Sequence, residues 1–149
     1  MKKLLLLIII VSMVLLSSIC FADIKNENSV RLFFDKHIEK VIKRDFEAAY
    51  LDYSPSIRAA YNLNQFKSMF EQQLEPMYGK LKSATFKSIE KGKKYELDKQ
   101  YDIVTLFYKT EVTKPDTYIR AEVAEFNGCF YVAGFQYVNF TDSIPENLK

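Results

Sequence analysis

Histidine, cysteine, tryptophan and glycine are all scarce in this chain of 149 residues. It contains one histidine, two cysteines, four glycines and no tryptophan. So few histidines and cysteines cannot supply the usual ligand set of a zinc site, and no glycine-rich phosphate loop is present. The sequence therefore predicts no metal site and no cofactor.

The N-terminal segment, MKKLLLLIIIVSMVLLSSICFA, has the organisation of a secretory signal peptide. Two lysines precede a predominantly apolar stretch from Leu4 to Leu16, and small residues follow it. We expect cleavage after Ala22, which leaves a single domain, residues 23–149, exported to the periplasm or secreted. Two alternatives stay open: an uncleaved segment that anchors the protein, and lipidation of Cys20.

Cleavage after Ala22 would change both the cysteine count and the charge. Cys129 would be the only cysteine, so no intrachain disulfide could form. No basic residue adjoins it, and we expect a small buried apolar side chain rather than a reactive thiol. Removing two lysines from the 21 basic residues leaves 19, against 19 acidic residues. This balance argues against nucleic acid as a partner, and no membrane span is expected after cleavage.

Two helices are predicted at the start of the mature chain. Apolar residues recur every three or four positions across ENSVRLFFDKHIEKVIKRD, the spacing of a helix with one apolar face. Asn28 or Ser29 would cap it, because their side-chain oxygens accept from unpaired backbone N–H groups. Asp45 would cap a second helix, FEAAYLDY, which ends before Pro55 because proline disfavours a helical conformation at the preceding residue.

A third helix is predicted over NLNQFKSMFEQQLEPMYG. Asn62 and Gln65 have the spacing of a capping box, in which each side chain accepts from the other residue's backbone. Pro76 and Gly79 would close this helix.

After Gly79 the apolar period changes to two, which predicts strands. These strands are expected at about 81–91, 95–113, 117–126 and 129–140. The connections would lie around Gly92, at 114–116 and at Asn127-Gly128, a pair typical of a type I′ hairpin turn. The predicted fold is α+β, with N-terminal helices packed on one face of a curved antiparallel meander.

The last predicted strand, in NGCFYVAGFQYVNF, is apolar on both faces. Strict alternation places Cys129, Tyr131, Ala133, Phe135 and Tyr137 on one face, and Phe130, Val132, Val138 and Phe140 on the other. The helices can cover only one face. A cavity enclosed by sheet curvature, a second copy forming a homodimer, or a different partner would have to cover the other.

The order of elements, with RDFEAAYLDYSPSIRAAYNLNQFKSMF and FNGCFYVAGF, resembles the nuclear-transport-factor-2-like superfamily, the cystatin-like cone. Many exported members end in a strand that carries a tryptophan after a tight turn. Here Phe130 takes the tryptophan position, and Gly134-Phe135 the glycine and aromatic that follow. The resemblance covers about residues 30–140 and implies a cone-shaped fold. Its members include isomerases, dehydratases, transport factors and many exported domains, so the fold does not fix the function.

The resemblance implies that an active site, if present, lies in the mouth of the cone. Enzymatic relatives use an Asp or His as general base there, with Tyr or Asp as donors to an oxyanion. His37 lies near the apolar stripe of the first helix, and Asp35 lies roughly on the opposite side of that helix. Any carboxylate partner of His37 must therefore come from elsewhere in the fold. We expect a packed, hydrogen-bonded histidine and predict no catalytic residue.

Amphipathic side chains suggest a pocket mouth instead. The candidate ligand-binding residues are Tyr53, Arg58, Tyr108, Arg120 and Tyr137. The leading hypothesis is an exported, non-enzymatic binding domain that takes a small hydrophobic ligand and forms a homodimer through the sheet face. One alternative is an isomerase or dehydratase that uses His37 or a buried aspartate as base. Another is a component or inhibitor of a cell-envelope protein assembly.

Overall fold

The computed structural model describes residues 26–96, 99–140 and 146–148. The predicted signal peptide, its cleavage position and Cys20 lie outside this part of the chain. Within it, no helix has both the length and the apolarity required to cross a membrane.

The first helix begins two or three residues earlier than predicted. Its elements are α1 (Glu27–Ile42), α2 (Phe46–Leu51), α3 (Pro55–Ala60), α4 (Leu63–Ser68), a π-helical segment (Met69–Leu74) and α5 (Glu75–Tyr78). The N-cap of α1 is Asn26, whose Oδ1 accepts from the Ser29 N–H at 3.1 Å. Asn28 and Ser29 are therefore inside the helix, and their predicted capping role is wrong. Asp45 caps α2 as predicted.

Two prolines lie in the first turn of helical segments. Pro55 begins α3, which the sequence analysis missed, and Pro76 lies in the first turn of α5. Proline is tolerated there because a first-turn N–H has no partner within its own segment. Pro76 consequently does not close the third helix, whereas Gly79 does, at a φ of +93°. The predicted capping box of Asn62 and Gln65 is confirmed.

The second half is a four-stranded antiparallel meander in the order β1-β2-β3-β4, as predicted. Its strands are β1 (Ser83–Glu96), β2 (Lys99–Glu111), β3 (Thr117–Phe126) and β4 (Cys129–Asn139). The predicted turn around Gly92 is wrong, because Gly92 lies inside β1 and pairs with Ile103. The turn at Asn127 and Gly128 is confirmed, and both residues have positive φ, +52° and +77°.

The main core lies between the helices and one face of the sheet, and this confirms the α+β class. Buried residues of α1 pack on β2 and β4: the Phe34 ring centroid lies 5.5 Å from that of Tyr108 and 6.4 Å from that of Phe135. From the sheet, this core takes the side chains of Val104, Leu106, Tyr108, Ile119, Ala121, Val123 and Val132.

A bulge in β4 changes which residues share a face. Glu122 pairs with Gly134. The next residue along β3, Val123, pairs with Val132, so Ala133 is an extra residue in β4. One inserted residue reverses the alternation of side chains. The helix-facing core accordingly takes Phe130, Val132, Phe135 and Tyr137 together. The predicted division of these residues between two faces is therefore wrong.

The outer face of the sheet, opposite the helices, carries a smaller apolar cluster. It consists of Tyr101, Ile103, Ala124 and Ala133, with Phe126 packed against them. A 3₁₀ turn, Glu146–Leu148, lies on β1: Asn147 Nδ2 donates to Glu90 Oε1 at 2.7 Å. Alternation places Glu90 on the outer face, because its neighbour Ile89 packs on the main core. Leu148 is 2 % exposed, so this turn packs closely on β1.

Candidate ligand-binding site

A cavity of about 320 Å³ opens at one end of the helix-facing core. Its apolar lining consists of Val41, Ile42, Phe46, Phe70, Leu74 and Leu81. Its polar lining consists of Arg44, Glu75, Lys80, Lys82 and Tyr137, with Gly79 between the last helix and β1. This volume is at the lower end of the range of small-molecule sites, about 300–1,000 Å³.

Aromatic packing fixes the floor of the cavity. The Phe46 and Phe70 ring centroids lie 5.3 Å apart, and those of Phe70 and Phe135 lie 5.6 Å apart. Phe70 belongs to the π-helical segment, which also supplies Leu74 to the cavity wall. Such π-helical insertions are rare and occur frequently at functional sites.

The rim of the cavity is basic. Arg44, in a left-handed conformation with φ +60°, lies between Glu71 and Glu75 and forms an ion pair with each. Its Nη2 lies 2.6 Å from Glu71 Oε1. Lys80 and Lys82 are exposed and make no ion pair with any other described residue. Three cations and two glutamates give the rim a formal net charge of +1, and Lys80 and Lys82 carry the charges that no ion pair among the described residues balances.

Tyr137 gives the cavity a hydroxyl group. Its ring stacks on that of Tyr78, with centroids 5.0 Å apart. Burial raises the pKa of Tyr137 well above its ordinary value, and the charge of Glu75 adds to this effect. The hydroxyl therefore stays protonated at neutral pH and is available as a hydrogen-bond donor.

The five predicted binding residues do not share this cavity, and only Tyr137 lines it. Tyr53 is buried beside His37, and Tyr108 is buried with its hydroxyl donating to Asp35 Oδ1 at 2.6 Å. Arg58 lies on α3. Arg120 is on the outer face, because its neighbour Ile119 points into the main core.

Arg120 belongs to a charged cluster on the outer face. Its Nη1 lies 2.9 Å from Glu122 Oε1, and Lys94 Nζ lies 2.9 Å from Glu122 Oε2. Hydrogen bonds and charges from both cations lower the pKa of Glu122, although its burial acts more strongly than any one of them in the opposite direction. The negative charge of this carboxylate is therefore already balanced by two cations of the same sheet.

Sequence reasoning did not identify the rim residues Arg44, Lys80 and Lys82. Only the KLK that follows Gly79 could have drawn attention to two of them, and lysines after a helix are common on solvated surfaces. Arg44 gave no signal, because its contact with Glu71 joins residues 27 positions apart.

A second polar group, around His37, is enclosed in the main core. His37 is completely buried, and its Nδ1 lies 3.0 Å from Asp52 Oδ2. Lys40 Nζ lies 2.7 Å from both carboxylate oxygens of Asp52. The carboxylate partner thus comes from the end of α2, and the expectation of a packed, hydrogen-bonded histidine is confirmed.

Burial determines the protonation of His37. It lowers the pKa of His37 below its ordinary value, although the hydrogen bond and charge of Asp52 act in the opposite direction. For Asp52, burial raises the pKa, but hydrogen bonds from His37 and Lys40 outweigh it and the net shift is downward. An ionised carboxylate only accepts, so Nδ1 of the neutral imidazole carries the proton and Nε2 is an acceptor.

The acceptor Nε2 of His37 has no hydrogen-bond partner among the described residues, and neither does the hydroxyl of Tyr53. The two rings are neighbours, with centroids 5.2 Å apart. Phe34 and Phe135 also pack on the imidazole, at 5.4 and 6.3 Å. Neither His37 nor Tyr53 is among the lining residues of the 320 Å³ cavity, so this pair does not open into it.

Cys129 is exposed at the start of β4, directly after the turn. The prediction that it is buried is therefore wrong: a residue next to a two-residue turn lies at the end of the sheet, beyond the cover of the helices. In the described ranges, no group of three or more histidine, cysteine, aspartate or glutamate side chains could hold a metal ion.

Comparison with known protein families, with curated proteins and with solved structures finds no match for this chain.

Proposed function

We propose that this protein is a non-enzymatic binding domain of the nuclear-transport-factor-2-like type, and that its 320 Å³ cavity takes a small apolar molecule with an anionic end. The observation that carries the proposal is the combination of an apolar lining with an unpaired basic rim. Phe70 and Leu74 would contact the apolar part of the ligand, and Lys80 and Lys82 its charge.

Apolar contact would supply most of the binding free energy. Burial contributes about 25 cal/mol per Å² of apolar surface, whereas an ion pair with an exposed lysine contributes roughly 0.2–1 kcal/mol. The lysines would therefore favour an anionic ligand over a neutral ligand of equal length. Because salt screens exposed charges, this selectivity should weaken as ionic strength rises.

Calorimetric titration of the protein with decanoate and with decanol tests the proposal. We expect decanoate to bind several-fold more tightly at low salt. A Lys80→Ala/Lys82→Ala variant should lose this preference, and a Lys36→Ala/Lys67→Ala variant, which changes exposed lysines elsewhere, should keep it. A Leu74→Asn variant should bind both ligands more weakly. If neither compound binds at millimolar concentration, the proposal is wrong. If decanoate and decanol bind equally well, and the double variants leave this unchanged, the cavity does not recognise an anionic end.

An isomerase or dehydratase is the alternative, and one observation favours it: the unpartnered Nε2 of His37 beside the unpartnered hydroxyl of Tyr53. The complete burial of His37 among aromatic rings supports the binding proposal over it. Since His37 is the chain's only histidine, its ring proton resonances are identified without ambiguity. The alternative predicts that saturating cyclohexanone shifts these resonances; unchanged resonances would speak against it.

A further inference from the structure

A second concave surface lies along α4 and the π-helical segment. This groove has a volume of about 530 Å³. It is lined by Tyr61, Asn62, Asn64, Gln65, Ser68, Met69 and Gln73. Charged residues make up 27 % of the chain, yet none of the described residues that line the groove is charged. It shares no lining residue with the 320 Å³ cavity, because the π-helical segment turns different side chains toward the two.

The wall of the groove is held in place by hydrogen bonds. In the capping box, Asn62 N donates to Gln65 Oε1 at 2.9 Å, and Gln65 N donates to Asn62 Oδ1 at 3.0 Å. The Tyr50 hydroxyl contacts the Tyr61 carbonyl oxygen at 2.7 Å. The backbone that carries Tyr61 is therefore positioned before any ligand arrives, which reduces the ordering cost of binding.

Polar and aromatic groups remain available on this wall. Tyr61 is 56 % exposed, although it is a large aromatic residue. The side chains of Asn64 and Gln73 are exposed and make no hydrogen bond to another described residue. Each amide offers both donors and an acceptor. The groove thus presents one open aromatic ring and two unused amides, with no fixed charge.

We propose that this groove binds a neutral saccharide. A sugar ring has an apolar C–H face, which can lie on the Tyr61 ring, and an edge of hydroxyl groups that both donate and accept, as amides do. A charged ligand would find no opposite charge here. A purely apolar ligand would bury the amides of Asn64 and Gln73 without hydrogen bonds, at roughly 1–3 kcal/mol each.

Titration of the ¹⁵N-labelled protein with chitotriose, cellotriose and maltotriose tests this assignment by NMR. We expect at least one sugar to shift the side-chain amide signals of Asn64 and Gln73, with a dissociation constant of about 10 mM or below. Tyr61→Ala should weaken binding about tenfold. Tyr61→Phe, which keeps the ring, should stay within about twofold. Tyr95→Ala, which removes an exposed tyrosine on β1, is the matched control and should change nothing.

Two results would overturn the assignment: no shift of either amide signal with any of the three sugars at 20 mM, or shifts that Tyr61→Ala leaves undiminished. Circular dichroism establishes that the variant is folded. Asn64→Leu, on the exposed face of α4, provides a second variant, expected to weaken binding without disturbing the helix. The decanoate titration reports on different residues, so either result stands without the other.

Discussion

His37 is the chain's only histidine, and it is completely buried. Its hydrogen bond to Asp52 joins α1 to the end of α2. Because burial lowers the pKa of His37, the folded state holds it neutral at a pH at which the unfolded chain takes up a proton. Any such difference in proton uptake makes stability depend on pH.

We expect the free energy of unfolding to fall as pH drops below about 6.5, the pKa of an unperturbed histidine. The unfolded state binds a proton there while folded His37 does not, so acid favours unfolding, by at most about 1.4 kcal/mol per pH unit. Urea denaturation at pH 7, 6 and 5 measures the slope. His37→Gln, which retains a donor for Asp52, should flatten it over this range, and a slope unchanged in that variant would contradict the prediction.

Gly79, at the edge of the cavity, has no space for a side chain. A Cβ there would lie 2.3 Å from Thr113 Oγ1 and 2.8 Å from the Thr113 backbone nitrogen, at a φ of +93°. Gly79→Ala should lower the free energy of unfolding by at least about 2 kcal/mol. Gly128→Ala is the control, because Gly128 also has positive φ but no atom within 4 Å. Gly128→Ala should lower the free energy of unfolding by only about 1 kcal/mol, the cost of a side chain at positive φ. Equal losses in the two variants, measured by thermal or urea denaturation, would show that crowding against Thr113 is unimportant.

At the level of elements, the bulge at Ala133 determines what β4 buries. Without it, Phe130 and Val132 would face away from Phe135 and Tyr137, and the main core would lose part of its lining. Glu122 packs closely over the next residue, since a Cβ at Gly134 would lie 3.1 Å from its Oε2. A bulge followed by a glycine lets the strand bend while the charged cluster stays on the outer face.

Deletion of Ala133 should therefore be severe. Pairing without the extra residue would move either Phe130 and Val132 or Phe135 and Tyr137 out of the core, and each large apolar side chain lost costs roughly 2–5 kcal/mol. We expect the variant to be unfolded or to have a much lower urea midpoint. Ala133→Ser, which keeps the residue count, should stay folded. A deletion variant with a wild-type midpoint would mean that the bulge does not set the register.

For the whole molecule, the important feature is the 3₁₀ turn that packs back on β1, far from it in the sequence. Leu148 is buried, and Asn147 contacts Glu90 on β1. Leu148→Ala should lower the free energy of unfolding by about 2–5 kcal/mol. Asn147→Ala, which removes one exposed hydrogen bond, should cost about 1 kcal/mol or less. Urea denaturation of both variants compares them, and a neutral Leu148→Ala would show that the turn does not pack stably on the sheet.

Burial of residues on the outer sheet face bears on association. The homodimer predicted from the sequence required an open apolar outer face, but Ile103, Tyr118 and Ala124 are already buried within one chain. We therefore expect size-exclusion chromatography with light scattering to give a monomer at micromolar concentration. A dimer that dissociates on mutation of exposed residues of the outer face would restore that hypothesis.

The sequence by itself determined the elements that depend on neighbouring residues. The Asp45 cap, the Asn62–Gln65 box and the Asn127-Gly128 turn rest on contacts within a few positions. Only the tertiary structure decided the rest. The Ala133 bulge depends on the partner strand, and the Asp52 partner of His37 and the basic rim at Arg44 join residues that are 15 or more positions apart. Local sequence patterns do not predict such pairings, because packing between elements determines them.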